Sequence, residues 1–253
     1  MVGAGWLVGR AALHAGAGRV YVGQIDPAAP VVDPFYPELM LRPAGQLLTA
    51  DLPLSALVVG PGMGLSPAAT ELLAQAIDTP LPLLLDADAL NLLARRTGVA
   101  DRLRARASRS LHPAMTVITP HSAEAARLLH IKADAVQADR PAAARALAER
   151  FGAVAVLKGA GTLVAWPKRL ARNPTGCNRL ATAGTGDVLS GLIGALLARG
   201  LAASTAAQLG VWVHGRAGEQ LPVERPTASG LLSLLSDQLW RVSASRASCM
   251  NLR

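Results

Sequence analysis

The sequence predicts an α/β protein with a mostly parallel central sheet covered by helices on both faces. Short β-branched runs alternate with Ala-, Leu- and Arg-rich stretches of helical period up to Gly159. The apolar runs are nearly continuous instead of alternating with polar residues, as expected for strands buried on both faces. Because 51% of the residues are apolar but only 3% are aromatic, the core must consist of Leu, Val, Ile and Ala, which suits helices packed on a sheet.

Five segments have the composition of strands, and each ends at Gly, Asp or Pro. They are 19–23, 56–60, 81–86, 116–120 and 153–159. The segments of helical period between them are 66–77, 88–95, 121–130 and 139–150. Ser66 and Asp139 are expected to cap the helices that they precede. The order strand, helix, strand predicts parallel pairing.

Beyond Gly159 the pattern changes to a short strand, a Gly-, Asn- and Arg-containing loop and three helices. These elements are predicted at 162–166, 186–199, 204–221 and 227–241. No linker divides them from the preceding part, so we expect residues 1–241 to form one domain. Residues 242–253 are Ser- and Arg-rich with little apolar surface to bury, which predicts a disordered tail.

Composition and charge exclude several classes of protein. The net charge of +8 comes from scattered Arg residues with few aromatics for base stacking, so we expect no nucleic-acid binding. Cys177 and Cys249 lie far apart without metal-ligand spacing, which argues against a disulfide framework or a zinc site. No apolar run reaches about 18 residues, and Arg10 and His14 interrupt the apolar start. We therefore expect a cytoplasmic protein without a membrane span.

Two neighbouring strand ends carry motifs that can approach a ligand. In an open parallel sheet, ligands bind outside the carboxyl ends of the strands. The sequence Gly-Pro-Gly-Met-Gly at 60–64 lets the chain turn sharply and present bare amides, although an ordinary tight turn explains it equally well. Asp86 and Asp88 follow the next strand, so that one can cap a helix while the other meets a ligand or an ion.

Two further motifs are ambiguous when each is taken alone. His121 begins a predicted helix in 119–124, where a polar ring can bind an anion or serve only as structure. The Gly-rich hairpin 158–162 could hold a nucleotide phosphate with its amides and with Thr162. It does not have P-loop spacing, and it could equally be a plain β-turn.

The strongest motif is 183–191, in which small residues lead directly into an apolar helix. Gly184 to Gly186 place backbone N–H groups at a helix N-terminus, where the dipole favours anionic oxygen. An Asp in the first turn can take a proton from a hydroxyl while the amides stabilise a transferring phosphoryl group. Asp187 is therefore the predicted catalytic residue, although an Asp at this position also complements the helix dipole by itself.

Taken together, the motifs at 60–64, 86–91, 119–124, 158–162 and 173–191 occur in a characteristic order and spacing. The chain resembles the ADP-dependent NAD(P)H-hydrate dehydratases of the ribokinase-like superfamily from about residue 3 to residue 235. The resemblance implies that the S epimer of hydrated NADH or NADPH loses water at the expense of ADP. The products would be NAD(P)H, AMP and phosphate, which would make the chain a hydro-lyase.

The resemblance also assigns roles to individual residues. It implies that Asp187 activates the hydroxyl of the hydrated ring. The residues implied to contact the hydrated dinucleotide are Ala4, Gly64, His121 and Asp187. Those implied to hold the adenine nucleotide are Lys158, Gly159, Ala160, Gly161, Thr162 and Gly186. Mg²⁺ is expected with the nucleotide, without a nameable protein ligand. A homo-oligomer is expected, as is an epimerase partner that is either fused or separate.

The chain departs from the family pattern at its amino end. Relatives carry a strand and a Gly-rich turn before the segment that matches residues 1–4, and the present sequence begins without them. Without that strand, backbone groups in the sheet would be left unpaired. A truncated, non-catalytic nucleotide-binding protein therefore stays open as one alternative to the dehydratase. A small-molecule kinase of the same superfamily is the other, because such kinases share the Gly-Thr-Gly-Asp chemistry.

Overall fold

A six-stranded sheet forms the centre of the protein, as seen in a computed structural model that describes residues 1–109 and 115–250. A separate pair of strands lies before it in the sequence. The strands are β1 (Tyr21–Gln24), β2 (Met40–Pro43), β3 (Leu57–Val59), β4 (Leu83–Leu85), β5 (Thr116–Ile118), β6 (Val154–Leu157), β7 (Leu163–Trp166) and β8 (Arg169–Arg172).

The central sheet has the order β3-β4-β5-β6-β7-β8. The strands from β3 to β6 pair in parallel, and β7 and β8 add two antiparallel hairpins at one edge. In β4, Leu83 and Leu85 pack into one core while Leu84 packs into the other. This alternation confirms the prediction of a mostly parallel sheet with both faces buried, because each face meets a separate layer of helices.

Helices cover both faces of the sheet. They are α1 (Val2–His14), α2 (Ala44–Leu47), α3 (Pro67–Asp78), α4 (Asp88–Arg95), α5 (Thr97–Arg109), α6 (Ser122–Leu129), α7 (Ala133–Ala138), α8 (Arg140–Phe151), α9 (Thr185–Ala198), α10 (Ala203–Gly218) and α11 (Ala228–Met250). The core on one face draws on α3 to α8, and the core on the other face draws mainly on α1, α9, α10 and α11. The predicted N-caps are confirmed, since Ser66 accepts the N–H of Ala69 and Asp139 accepts that of Ala142.

The strand predicted at 19–23 does not join the central sheet. It forms β1, which pairs in parallel with β2, a strand that the sequence analysis did not predict. Within the described residues, β3 has a sheet partner only on the β4 side, where the N–H of Leu57 donates to Pro82 (2.8 Å) and the carbonyl of Val59 accepts from Asp86 (3.1 Å). A groove of about 890 Å³ lies between β1 and β3 and is also lined by α1 and α9. Both strands therefore have an edge without a neighbour facing this groove.

The carboxyl end differs from the prediction. The last helix, α11, continues past the expected end at Arg241 as far as Met250, and so covers most of the segment expected to be a tail. Residues 251–253 lie outside the described residues. The division of the chain into a domain at 1–241 and a tail at 242–253 stays a prediction. In the parts of the chain that the structure describes, none of the helices has the length and apolar character that a bilayer crossing requires.

Candidate active site

The turn before α9 forms a cup of backbone amides, as the sequence predicts. Gly184 is the N-cap with a φ of +85°, and a Cβ at this position would lie 2.7 Å from Cδ1 of Leu7. The positive φ favours glycine at this position, because other residues rarely adopt it. The hydroxyl of Thr185 donates to the carbonyls of Leu180 (2.7 Å) and Thr182 (2.8 Å), which ties the turn to the preceding loop. First-turn amides have no acceptor within a helix, so those of Gly186 and its successor are available to an anion.

Asp187 lies in the first turn of α9, at the mouth of this cup. Its pKa is raised from 3.8 to about 6, mainly by burial and to a smaller extent by the nearby carboxylate of Asp86, whereas the ammonium of Lys158 acts in the opposite direction. A carboxyl group with this pKa is largely ionised at pH 7 and is a stronger base than an ordinary Asp. Asp187 therefore has the chemistry of a general base.

A buried ion pair lies beside the cup. The Nζ of Lys158 donates to Oδ1 of Asp86 at 2.7 Å, and the hydroxyl of Ser190 donates to Oδ2 at 2.7 Å. Burial alone would lower the pKa of Lys158, but the carboxylates of Asp86 and Glu124 outweigh it and raise the pKa. A Cβ built at Gly186 would lie 3.5 Å from the Nζ of Lys158. The structure therefore places a fixed positive charge next to the amide cup.

This ion pair revises the interpretation of two predicted residues. Lys158 was expected to act as part of a Gly-rich phosphate loop, but its ammonium faces Asp86 and the cup. Asp86, at the end of its strand, was the one of the two carboxylates expected to meet a ligand or an ion, yet its carboxylate accepts from Lys158, Ser190 and the N–H of Ala87. Asp86 is therefore best described as the residue that holds Lys158 in place.

The two loops that follow β3 and β4 are joined to each other. Asp88, the first residue of α4, accepts the N–H of Gly64 at 2.9 Å. Gly60 has a φ of +127°, and a Cβ there would lie 1.8 Å from the carbonyl oxygen of Asp86, so only glycine fits. The amide of Gly64 is therefore not bare, contrary to the expectation for this turn.

His121 is the N-cap of α6 and forms a capping box. Its Nδ1 accepts the N–H groups of Ala123 (3.1 Å) and Glu124 (3.4 Å), and the carboxylate of Glu124 accepts the N–H of His121 at 2.8 Å. Burial lowers the pKa of His121, and the charges of Lys158 and Arg127 lower it further. The ring is therefore neutral at pH 7 with the proton on Nε2, which lies 3.4 Å from Oε1 of Glu124.

The hairpin between β6 and β7 is flanked by two arginines that the sequence analysis did not assign. The Nη2 of Arg140 donates to the carbonyls of Leu157 (3.2 Å) and Lys158 (3.4 Å), and a Cβ at Gly161 would lie 2.6 Å from the Nε of Arg172. Burial lowers the pKa of Arg140, as does the charge of Arg172. The guanidinium groups are nevertheless charged at pH 7, so the hairpin has a basic environment suited to phosphate.

Ala4 is in α1 and only 7% exposed. Ala4 packs against the turn at 60–64, since a Cβ built at Gly62 would lie 3.2 Å from the Cβ of Ala4. The terminal amine of Met1 donates to the carbonyl of Gly62 at 2.8 Å. The structure therefore brings Ala4 close to the turn that contains Gly64, while its predicted contact with the hydrated dinucleotide stays a prediction.

The site does not form a metal cage. Within residues 1–109 and 115–250, no three His, Cys, Asp or Glu side chains are grouped in a way that could hold a metal ion. Mg²⁺ commonly keeps several waters and is held by one or two carboxylates together with substrate phosphates. The residues therefore fit an ion carried by the nucleotide better than one held by the protein.

The sheet, the helices on both faces and the amide cup next to an acid define a ribokinase-like α/β protein. A ribokinase-like superfamily protein from Enterococcus faecalis has the same fold, with a TM-score of 0.77, 23% identity, and coverage of 94% of this chain and 82% of that one. The chain belongs to the NAD(P)H-hydrate dehydratase family, whose model matches residues 1–241.

Curated and solved relatives agree with this assignment. The chain is 43% identical to the ADP-dependent (S)-NAD(P)H-hydrate dehydratase of Neisseria meningitidis over 237 residues, which cover 92% of this chain and 77% of that protein. The ADP/ATP-dependent NAD(P)H-hydrate dehydratase of Bacillus subtilis, co-crystallised with ATP and Mg²⁺, superimposes with a TM-score of 0.75 at 29% identity and covers 97% of this chain and 85% of that one.

A second group of relatives is longer. The chain is 38% identical to the bifunctional NAD(P)H-hydrate repair enzyme Nnr of Coxiella burnetii over 231 residues, which cover 88% of this chain. It therefore spans 44% of the length of that bifunctional relative.

Proposed function

We propose that this chain catalyses the ADP-dependent dehydration of the S epimer of hydrated NADH or NADPH, yielding NAD(P)H, AMP and phosphate. The observation that carries the proposal is the position of Asp187 at the mouth of an amide cup, with the buried ammonium of Lys158 beside it. Family membership over residues 1–241 supports the same activity.

In the first step, the carboxylate of Asp187 takes the proton of the hydroxyl on the hydrated nicotinamide ring. The hydroxyl oxygen then forms a bond to the β-phosphorus of ADP, and the bond from that phosphorus to the bridging oxygen breaks, which releases AMP. A pKa of about 6 suits this role, because the base is mostly ionised at pH 7 and retains useful basicity.

The cup and Lys158 stabilise the phosphoryl group during transfer. The negative charge on the equatorial oxygens is spread over backbone N–H groups and the ammonium, which are already in place before the reaction. The hydroxyl of Ser190 donates to the carboxylate of Asp86, and the same carboxylate accepts from the ammonium of Lys158. Together these bonds hold the ammonium in place. These groups therefore need little reorganisation to reach the transition state.

In the second step, the ring nitrogen's lone pair expels phosphate, and the neighbouring carbon loses a proton to give the reduced nicotinamide. The net change is loss of water from the substrate coupled to cleavage of ADP into AMP and phosphate. Asp187, protonated in the first step, would give its proton to the departing phosphate, and the proton lost from the carbon would pass to water.

We assign the nucleotide to the hairpin 158–162 and to Gly186. The charged groups of Arg140 and Arg172 support this placement, because they surround a turn with two glycines at positive φ, Gly159 (+138°) and Gly161 (+61°). Mg²⁺ bound to the nucleotide would neutralise phosphate charge. Thr162 is less available than the sequence implies, since its hydroxyl donates to the carbonyl of Gly159 at 2.9 Å.

We assign the hydrated dinucleotide to Ala4, Gly64 and His121, the residues that the resemblance implies. The side chain of His121 is half exposed, and its Nε2 lies 3.4 Å from Oε1 of Glu124, so a ligand would share this donor with the carboxylate. The loop before His121 is tied to the hairpin because the N–H of Lys158 donates to the carbonyl of Pro120 at 2.9 Å. Substrate and nucleotide would therefore meet above Asp187.

The proposal is tested by incubating the protein with hydrated NADH, ADP and Mg²⁺ and following absorbance of the reduced nicotinamide. We expect recovery of NADH with equal amounts of AMP and phosphate, and none with D187N. A stable phosphorylated product would instead identify a small-molecule kinase, and ADP binding without turnover would identify a non-catalytic nucleotide-binding protein.

Three broader expectations accompany this activity. We propose that the chain is a cytoplasmic homo-oligomer, which light scattering at several protein concentrations can test. We also propose that an epimerase supplies the S epimer, either on a separate chain or fused as in a bifunctional enzyme. That epimerase is tested by asking whether a mixture of both epimers is fully repaired only after an epimerase is added.

A further inference from the structure

The buried histidine of α10 contacts the turn at the start of α9. His214 is 8% exposed, and its Nε2 lies 2.9 Å from the carbonyl oxygen of Thr185, the first residue of α9. Burial lowers its pKa to about 4, so the ring is neutral at pH 7. A carbonyl oxygen only accepts, and therefore Nε2 carries the proton and donates it.

The bond acts on a specific peptide unit. The carbonyl of Thr185 and the N–H of Gly186 belong to one planar trans peptide, in which the two groups point in opposite directions. A donor that fixes the carbonyl therefore also fixes the direction of the amide. The amide of Gly186 is one of the first-turn donors of the cup.

Hydrogen bonds also join α10 to the loop that precedes the cup, with side chains of the loop donating to backbone carbonyls at or near α10. Thr175 donates its hydroxyl to the carbonyl of Trp212 (3.0 Å), and the Nδ2 of Asn173 donates to that of Val211 (3.0 Å). The Nη2 of Arg179 donates to the carbonyl of Glu219 (2.6 Å), just after the helix ends. Thus α10 is the frame on which the loop from Asn173 to the cup is mounted.

We propose that His214 is a positioning residue of the dehydratase reaction, which aligns the Gly186 amide with the transferring phosphoryl group by donating to the Thr185 carbonyl. The inference rests on the proposed function of the cup. It goes beyond it by assigning a role to a residue that contacts neither nucleotide nor substrate.

The test compares two amide substitutions that differ in reach. H214Q places an N–H donor at about the distance of the imidazole Nε2, whereas H214N is one methylene shorter and cannot reach Thr185. We expect H214N to lower kcat at least about tenfold with KM for ADP changed less than about twofold, since misplacing a transition-state donor mainly affects the chemical step. H214Q should recover most of the lost kcat.

A matched control comes from the same helix. Gln208 donates its Nε2 to the carbonyl of Ser204 at 3.0 Å, away from the cup, so Q208L removes a side-chain-to-backbone bond of the same kind. It should leave kcat unchanged. Equal losses of kcat in H214Q and H214N, at equal folded stability, would overturn the proposal, as would an H214N variant within twofold of the unaltered protein.

Two measurements do not depend on turnover, so they separate this proposal from the proposed function. Hydrogen exchange at the Gly186 amide should be faster in H214N than in Q208L or the unaltered protein. If neither His214 variant folds, ¹⁵N NMR of the unaltered protein decides. A neutral Nε2–H tautomer supports the proposal, and an Nδ1–H tautomer or a charged ring at pH 7 overturns it.

Discussion

The substitution D187N should remove activity and at the same time stabilise the protein. An amide cannot accept the proton of the substrate hydroxyl, so we expect kcat to fall by about 10²–10⁴-fold, the range for general bases. The stability gain has a separate cause, which is that folding places an ionised carboxylate in a partly buried position near Asp86.

The size of the expected stability gain follows from the pKa of Asp187. A rise from 3.8 to about 6 disfavours the ionised folded state. Each pKa unit corresponds to about 1.4 kcal/mol, and exposure of Asp187 to solvent reduces the full value to about 1–2 kcal/mol. Loss of the favourable interaction with the α9 dipole offsets about 0.3–1 kcal/mol of this. We therefore expect a net gain of about 1 kcal/mol at pH 8, or about 2–4 °C in Tm.

The difference in stability between D187N and the unaltered protein depends on pH. Because the folded-state pKa is raised, the penalty is absent below the unfolded pKa of 3.8, develops between 3.8 and about 6, and is complete above that range. Denaturant unfolding of both proteins at pH 8 and pH 4 measures the difference. The gain should shrink at pH 4.

A matched control is D88N, at the first residue of α4, where the carboxylate accepts the N–H of Gly64. Neutralising Asp88 weakens a charge-assisted bond and the helix-dipole interaction, so this variant should lose about 0.5–1.5 kcal/mol. If D187N were less stable than the unaltered protein at pH 8, or its gain did not vary with pH, the electrostatic description of Asp187 would be refuted.

The remaining predictions concern the pH profile, the ion pair and the turn. The kcat/KM for hydrated NADH should rise nearly tenfold per pH unit below 6 and level off above, since Asp187 must be ionised; a flat profile from pH 5 to 7 would contradict its role as the base. K158M should lower kcat at least about 10²-fold and cost about 3–5 kcal/mol by leaving the carboxylate of Asp86 buried without a positive charge beside it, and adding D86N should restore stability but not turnover. G184A should cost about 1–3 kcal/mol in denaturant unfolding because of its φ of +85°, whereas G98A, with open space around the new Cβ, should be neutral or slightly stabilising.

The parts of the site that the sequence predicted are those built from adjacent residues. The turn at Gly184 and the acid at Asp187 lie on one continuous segment, so local geometry was sufficient to predict their arrangement. The Asp86–Lys158 pair joins residues 72 positions apart, and it depends on strand order that composition does not encode. Its only sequence signal was that each residue follows a strand, β4 and β6 respectively.

The partner of the first strand could not be predicted for a similar reason. The composition of 19–23 predicted a strand, and the structure contains one, but its partner is β2 instead of the central sheet. Pairing is a long-range property, because apolar character specifies that a strand is buried and not which neighbour it has. Arg140 was missed because an arginine at the start of a helix resembles an ordinary solvent-exposed residue until the hairpin is placed next to it.

The groove between β1 and β3 has a consequence for how the molecule opens. Since no ladder of hydrogen bonds between the described strands crosses the groove, the β1–β2 unit can separate from the body of the protein without breaking a bond of the six-stranded sheet. Local unfolding should therefore begin on this side, and two bare strand edges would be uncovered at once.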